Sequence, residues 1–366
     1  MRESTKERRS ASARPNQHTA ISNEEPSGRV VSEVITGQRL TLTTRALRSS
    51  ISWISVALLL LLVVFGGMAP SSFLTGSNFT NLGDDAAILL IVSVGQTFVI
   101  IQNGIDLSMS SVLVFSGVIA GYVMLAFGGQ QQGWATIILG LVTGLVVGMA
   151  WGVLNGFVVA KAKVPALIAT LGTFGGVLGL ADVITGGVDL RALPVRLTTD
   201  LGIDTVLGIP WLVVVAVVVA VVGAFVLHLT AFGQRTFAIG SNSTSARRAG
   251  IKVDRHIIVI YGMAGLLSGL AGDLSLAQFG TTSLAGNSEV LLGSVTAVVL
   301  GGASLFGGSG NMLGTVIGVM IPVVLANGLV IVGVSSYWQA VATGMILVLA
   351  VYVDQQRRAK LARSER

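Results

Sequence analysis

From Val290 to Val353 the chain carries no charged residue. A helix needs about 20 predominantly apolar residues to cross a hydrocarbon core, so this one block has room for about three crossings. Ser52–Ala69 is also free of charge, and between Val206 and Ala231 the only ionisable side chain is His228. A soluble core cannot absorb unbroken apolar chain on this scale. Only 11% of the residues are charged, where soluble domains carry roughly 25%. The expected fold is an all-α, polytopic membrane helical bundle of about ten spans.

The charges that remain mark the ends of those spans. An arginine or lysine at a helix centre costs about 2.5–3.5 kcal/mol on the insertion scale. The basic residues are confined accordingly to five places: the stretch before Ser49, Lys161 and Lys163, Arg191 and Arg196, the run from Arg235 to Arg255, and the run from Arg357 to Arg366. A net charge of +6 distributed in this way is a topology signal and not a nucleic-acid footprint. Basic residues near span ends stay on the cytoplasmic side. Both termini are basic, so both are expected inside and the span count even. Spans are expected near residues 51–69, 86–102, 110–127, 134–160, 164–185, 210–229, 256–278, 290–304, 312–333 and 337–353. This places Lys161, Lys163 and the 230–255 loop inside. Residues 187–209 fall outside, where Arg191 and Arg196 are balanced by Asp189, Asp200 and Asp204. An eight-span alternative, with 86–127 or 290–333 partly re-entrant, keeps the same end orientation.

The first apolar block follows about 50 polar residues, unlike a secretory signal with its short basic start. Residues 51–69 therefore read as a retained span. Residues 1–48, rich in Ser, Thr, Arg and Glu without an apolar period, cannot bury enough surface to offset ordering entropy. They read as a disordered cytoplasmic tail whose basic end, Arg39 to Arg48, lies against anionic lipid headgroups. Residues 49–355 hold the spans, and residues 356–366 form a basic cytoplasmic C-terminal tail.

Soluble-enzyme chemistry finds little footing. There is no cysteine, which excludes disulfides and thiolate metal sites. His18, His228 and His256 are scattered, so no metal site is expected. None of the five lysines (Lys6, Lys161, Lys163, Lys252, Lys360) follows a glycine, so the phosphate-binding Gly-Lys-Ser/Thr turn is missing. No nucleophile, base and orienting acid come together in sequence. The chain is expected to be no enzyme and to hold no cofactor, and any ATP and Mg that drive it must bind to another chain.

Two stretches interrupt the apolar pattern with glycine and polar residues, Gly95 to Ser108 and Val298 to Gly310. Broken helices at membrane depth are tolerated only where protein buries them or water lines them, and transporters build sites from such breaks. The two stretches are weakly alike: an apolar run, glycine, then a short polar turn. Asp106 has no cation nearby in sequence. It can cap the helix that begins near Met109, as can Ser108, or it can contact a solute as intramembrane carboxylates do. Asp182 and Asp273 also interrupt apolar spans and are open to the same two readings. Glycines at 144, 148, 152 and 156, at 265 and 269, and at 314 and 318 recur every four residues, a spacing that lets helix backbones approach closely.

The loop from Phe232 to Ile251 is unlike the rest. Asn242 or Ser243 can cap a short helix that Gly250 ends. Such a helix suits docking against a soluble partner, and it equally suits a solvated loop whose charges only enforce topology.

With these motifs in place the chain resembles the permeases of ribose-type ABC sugar importers. The resemblance rests on Gly104-Ile105-Asp106-Leu107-Ser108, on Thr170 to Thr173, and on the loop from Phe232 to Ile251 with Ala246, Gly250 and Ile251. It rests also on Gly301 to Gly310 and on Asn327 to Gln339. It covers roughly residues 50–355 and leaves the 1–48 tail outside. It implies a membrane-spanning permease subunit in the bacterial cytoplasmic membrane, importing a monosaccharide or related polyol of the ribose class. It implies a second permease copy or homologue, a cytoplasmic ABC ATPase and an extracytoplasmic solute-binding protein. It further implies that Gln96, Thr97, Gln102, Asn103, Asp106, Ser108, Thr170, Thr173 and Asn327 line the pathway. Gly240, Asn242, Ala246, Arg247, Ala249, Gly250 and Ile251 would form the ATPase-coupling loop, with Ala246 and Gly250 facing the partner. Asp182, Asp273 and Gln102-Asn103 depart from the family pattern and point to a different polyhydroxy compound. The competing readings are a permease for branched-chain amino acids or nucleosides, an ATPase-independent secondary transporter or channel, and, disfavoured by the missing catalytic groups, an intramembrane enzyme.

Overall fold

The computed structural model describes residues 50–364 apart from 129, 130, 132, 286 and 336, so the 1–48 tail lies outside the described residues. The apolar runs fold as helices in chain order: α1 Ser50–Met68, α2 Pro70–Phe73, α3 Gly76–Ile101, α4 Met109–Ala126, α5 Trp134–Ala160, α6 Ala166–Thr185, α7 Trp211–Leu229, α8 Ala231–Ser241, α9 Ser243–Arg248, α10 Val253–Phe279, α11 Asn287–Leu300, α12 Met312–Ile331 and α13 Tyr337–Ser364. Between α6 and α7 lie a π-helical turn, Leu197–Ile203, and a two-stranded hairpin, β1 Thr205–Val206 and β2 Ile209–Pro210.

Among the described residues seven helices, α3 to α7, α10 and α12, are long and apolar enough to cross a membrane. Shorter apolar runs within α1, α11 and α13 occupy the remaining expected positions. Among the described residues seven helices thus have spanning length and composition where ten spans were expected. The second expected span differs most. It begins at Gly76, ten residues before the apolar run, because the Thr75 hydroxyl caps it by accepting from the Asn78 amide at 3.2 Å. Asp84 and Asp85 therefore sit inside the helix.

α3 is the central element, buried without interruption from Ala86 to Ile101. α5 and α10 pack backbone to backbone through their glycines. A β-carbon on Gly148 would come within 2.8 Å of the Gly269 α-carbon, and one on Gly265 within 2.8 Å of the Gly152 α-carbon. Without a hydrophobic drive between helices in lipid, such close packing is what holds them together. Gly314 and Gly318 on α12 likewise abut the Gly301 and Ala297 carbonyls. The outward faces of α1, α6 and α7 carry apolar side chains such as Leu59, Ile168, Val183, Val221 and Phe225.

Residues 187–209 do not form a simple exposed loop. Leu193 and Leu197 are buried against Met124, Ile137 and Leu276. The charges there do not pair with one another: Asp189 instead accepts from the Leu284 amide at 2.9 Å and the Thr282 hydroxyl at 3.2 Å.

Candidate functional site

The two interrupted stretches end their helices in the same way. After α3, the Gly104 amide reaches the Val99 carbonyl and Asn103 adopts a left-handed φ of 73°. After α11, the Ala303 amide reaches the Val298 carbonyl and Gly302 has φ 91°. This cap satisfies carbonyls that a helix end would otherwise leave free, and asparagine and glycine are the residues that tolerate its turn. The two turns also meet, since the Gly308 amide donates to the Ile101 carbonyl at 2.8 Å.

Asp106 is 3% exposed. Its Oδ1 accepts from both the amide (2.9 Å) and the hydroxyl (2.6 Å) of Ser108. The carboxylate makes an Asx turn just ahead of α4, and, unlike the capping reading, neither Asp106 nor Ser108 gives the first turn of the helix a side-chain cap. The Ser108 hydroxyl accepts from Asn155 Nδ2 at 2.7 Å, and Asn155 Oδ1 accepts from the Thr173 hydroxyl at 2.6 Å. Thr170 donates to the Ile105 carbonyl at 3.2 Å. A polar chain therefore ties the break to α5 and α6, with the buried Tyr261 hydroxyl beside Gly104. Asn155 is the member the sequence reading missed, a lone amide hidden among the glycines of its span.

Thr97 and Thr315 meet at 2.9 Å between α3 and α12, while the fully buried Gln96 has no partner for its side chain. Gln102 is buried and Asn103 exposed. Asp273 is buried against Gly144 with neither oxygen hydrogen-bonded, and Asp182 is exposed.

None of these residues lines a large cavity that lies among the described residues. That space, about 890 Å³, lies between the first half of α3, the end of α10, the start of α11 and the second half of α12. Its polar wall comprises Thr80, Asn81, Asp84, Asp85, Ser275, Gln278, Ser283, Glu289, Asn327, Gln339 and Thr343. Of the expected pathway residues only Asn327 is among them. The acidic pair Asp84-Asp85 precedes the apolar run and so reads in sequence as lying outside the span. Among the described residues no group of three His, Asp or Glu side chains is arranged to hold a metal ion.

The polar loop folds as α8 and α9. Asn242 caps α9 by accepting from the Ser245 amide at 2.9 Å, and Gly250 ends it with φ 85°. Asn242, Arg247, Ala249 and Gly250 are exposed, Ile251 is half-buried and Gly240 is buried. Ala246 does not face outward as expected. It is 5% exposed and packs on Ile239 and Val253, because it is the one apolar residue in α9 and burial of that residue orients the helix. Asp254, at the start of α10, binds Arg247 at 2.8 Å, Lys163 at 3.1 Å and Lys161 at 3.6 Å. The hydrogen bond to Asp254 holds the Arg247 guanidinium above its ordinary range. The Thr236 hydroxyl and His256 Nε2, 2.8 Å apart, tie α8 to α10. Gly240 closes the arrangement: it abuts the Ile101 carbonyl, and a β-carbon there would lie 2.6 Å from the Gly308 amide. The loop is thus in backbone contact with both interrupted stretches at once.

Residues 78–351 match the family described as branched-chain amino acid transport system / permease component. Among known proteins the chain is similar to the ribose import permease protein of Bacillus subtilis, with 37% identity over 82% of this chain and 92% of the relative. It is 33% identical to the fructose import permease protein of Rhizobium meliloti, over 82% of this chain and 84% of the relative. The D-allose transport system permease protein of Escherichia coli is 30% identical over 81% of this chain and 89% of the relative. No solved structure matches the chain.

Proposed function

This chain belongs to the family of branched-chain amino acid transport system permease components, an integral membrane family, and from that premise we propose that it is the permease subunit of an ATP-driven importer for a monosaccharide or related polyol. The relatives bear sugar names although the family's description names amino acids. The observation that carries the reading is the contact of Gly240 with Ile101 and Gly308. A soluble motor that pushes on α8 and α9 moves the ends of α3 and of the 301–310 turn without an intervening side chain. That is the link an importer needs, and a channel does not need it.

On this reading a cytoplasmic ABC ATPase binds ATP and Mg and docks on the exposed face of α9. An extracytoplasmic binding protein delivers the solute at the opposite end of the bundle. A second permease copy or homologue completes the pathway, which Asp106, Ser108, Thr170 and Thr173 stabilise from behind and which Asn327 lines. Both termini and the 230–255 loop face the cytoplasm of a bacterial cell, and the apolar faces of α1, α6 and α7 meet lipid.

The test is reconstitution with its ATPase and binding protein in liposomes. Labelled ribose, allose, fructose and polyols, with leucine as the competing class, are offered with and without ATP. ATP-dependent uptake of at least one sugar or polyol is expected. Uptake of leucine alone, or sugar flux indifferent to ATP, would overturn the proposal.

A further inference from the structure

The 890 Å³ cavity has a one-sided chemistry. Its described lining includes three carboxylates, Asp84, Asp85 and Glu289, and no lysine, arginine or histidine. Two of the amides on the wall, Gln278 and Asn327, each have a donor engaged. Gln278 Nε2 donates to Asp85 Oδ1 at 3.0 Å, and a carboxylate can only accept, so the amide's orientation is fixed. Asn327 Nδ2 donates to Asn78 Oδ1 at 2.9 Å, and Asn78 Nδ2 is itself engaged with the Phe73 carbonyl. The same logic fixes Asn327. The buried atoms on lining residues that have no hydrogen-bond partner are all acceptors: Asp84 Oδ1, Gln278 Oε1 and Asn327 Oδ1. Asp84 is 8% exposed.

Buried polar groups without partners are rare and call for an explanation. Here three of them, all acceptors, belong to one cavity wall. A solute rich in hydroxyl or amine donors suits a wall that carries three carboxylates and no cation. A phosphate or carboxylate presents acceptors to acceptors and enters the field of three negative charges focused by low-dielectric walls. We infer that this cavity admits donor-rich solutes that carry no negative charge and excludes sugar phosphates, sugar acids and the carboxylate end of amino acids. This inference rests on the importer reading for its biological meaning, but the charge selection is a property of the cavity alone.

The absence of cysteine makes a direct test simple. In full-length protein in nanodiscs, Ala326→Cys and Ser275→Cys each place one thiol on the wall. Their rates of modification by trimethylammonium-ethyl and by sulfonato-ethyl methanethiosulfonate are compared with those of a free thiol in solution. The cationic reagent is expected to be favoured about tenfold or more beyond the free-thiol ratio. The preference should shrink at high salt. It should collapse when Asp84→Asn, Asp85→Asn and Glu289→Gln are combined with either reporter. A free-thiol ratio at both positions, or a preference that survives neutralisation, would overturn the inference. Labelling needs no ATP, ATPase or binding protein. Charge-selective labelling without sugar uptake would therefore sink the importer reading alone, and sugar uptake with charge-blind labelling would sink this inference alone.

Discussion

Gly240 abuts the Ile101 carbonyl with no room for a side chain between them. The end of α3 and the polar loop are in backbone contact, so even one methyl group must separate them. Overpacking of this kind costs about 1–3 kcal/mol. Gly240→Ala is expected to insert normally and to lose roughly tenfold in ATP-dependent uptake. Unchanged uptake in the reconstituted complex would show that the contact transmits nothing.

Asn155 is the hinge of the buried polar chain, since it donates to Ser108 and accepts from Thr173. Asn155→Leu removes one hydrogen bond from each hydroxyl, while Ser108 still donates to Asp106 and Thr173 to the Ala169 carbonyl. Each lost hydrogen bond costs about 0.5–1.5 kcal/mol. The variant should unfold at a clearly lower temperature in detergent, whereas Asn155→Gln, which can partly restore the bonds, should fall between. Equal stability of Asn155→Leu and the parent would count against a structural role for the chain.

The helices were legible because their signal is local: apolar runs, glycines every four residues, Asn242 before a short helix and Gly250 after it. The meeting of the two interrupted stretches was legible only as a resemblance between them, since the Gly308–Ile101 bond joins residues far apart in sequence. The cavity was not legible. Its wall draws on separate stretches from Thr80 to Thr343, and the two carboxylates that dominate it precede the apolar run that a hydropathy window detects. Ala246 was misplaced for a different reason. Its small size in a polar loop suggests an outward docking face, but an isolated apolar residue in a short helix serves equally well as the one that turns inward.

That reversal separates two substitutions. Ala246→Trp forces a large ring into the pocket of Ile239 and Val253 and should disturb the loop itself, so that residues 243–251 become readily cleaved by protease in the isolated permease. Ala249 is exposed, so Ala249→Trp should leave the isolated chain as resistant as the parent and reduce copurification of the ATPase. Normal copurification with Ala249→Trp would remove this face of α9 from the docking surface.

Asp254 gathers Arg247, Lys163 and Lys161 from the loop and from the turn after α5. The cationic side chains are about half exposed, so each pair alone contributes little, on the order of 0–1 kcal/mol. Their value lies in sharing one carboxylate: it joins three segments, and its removal leaves three like charges facing one another. Asp254→Asn is therefore expected to leave the membrane helices intact and to loosen the loop. Hydrogen exchange in residues 243–252 should accelerate several-fold while the interior of α10 keeps its protection. High salt should loosen the loop in the parent and slow exchange in the variant, because it screens an attraction in the first and a repulsion among Arg247, Lys163 and Lys161 in the second. Exchange in the variant that matches the parent at every salt concentration would mean that packing of Ala246 on Val253 holds the loop without help from charge.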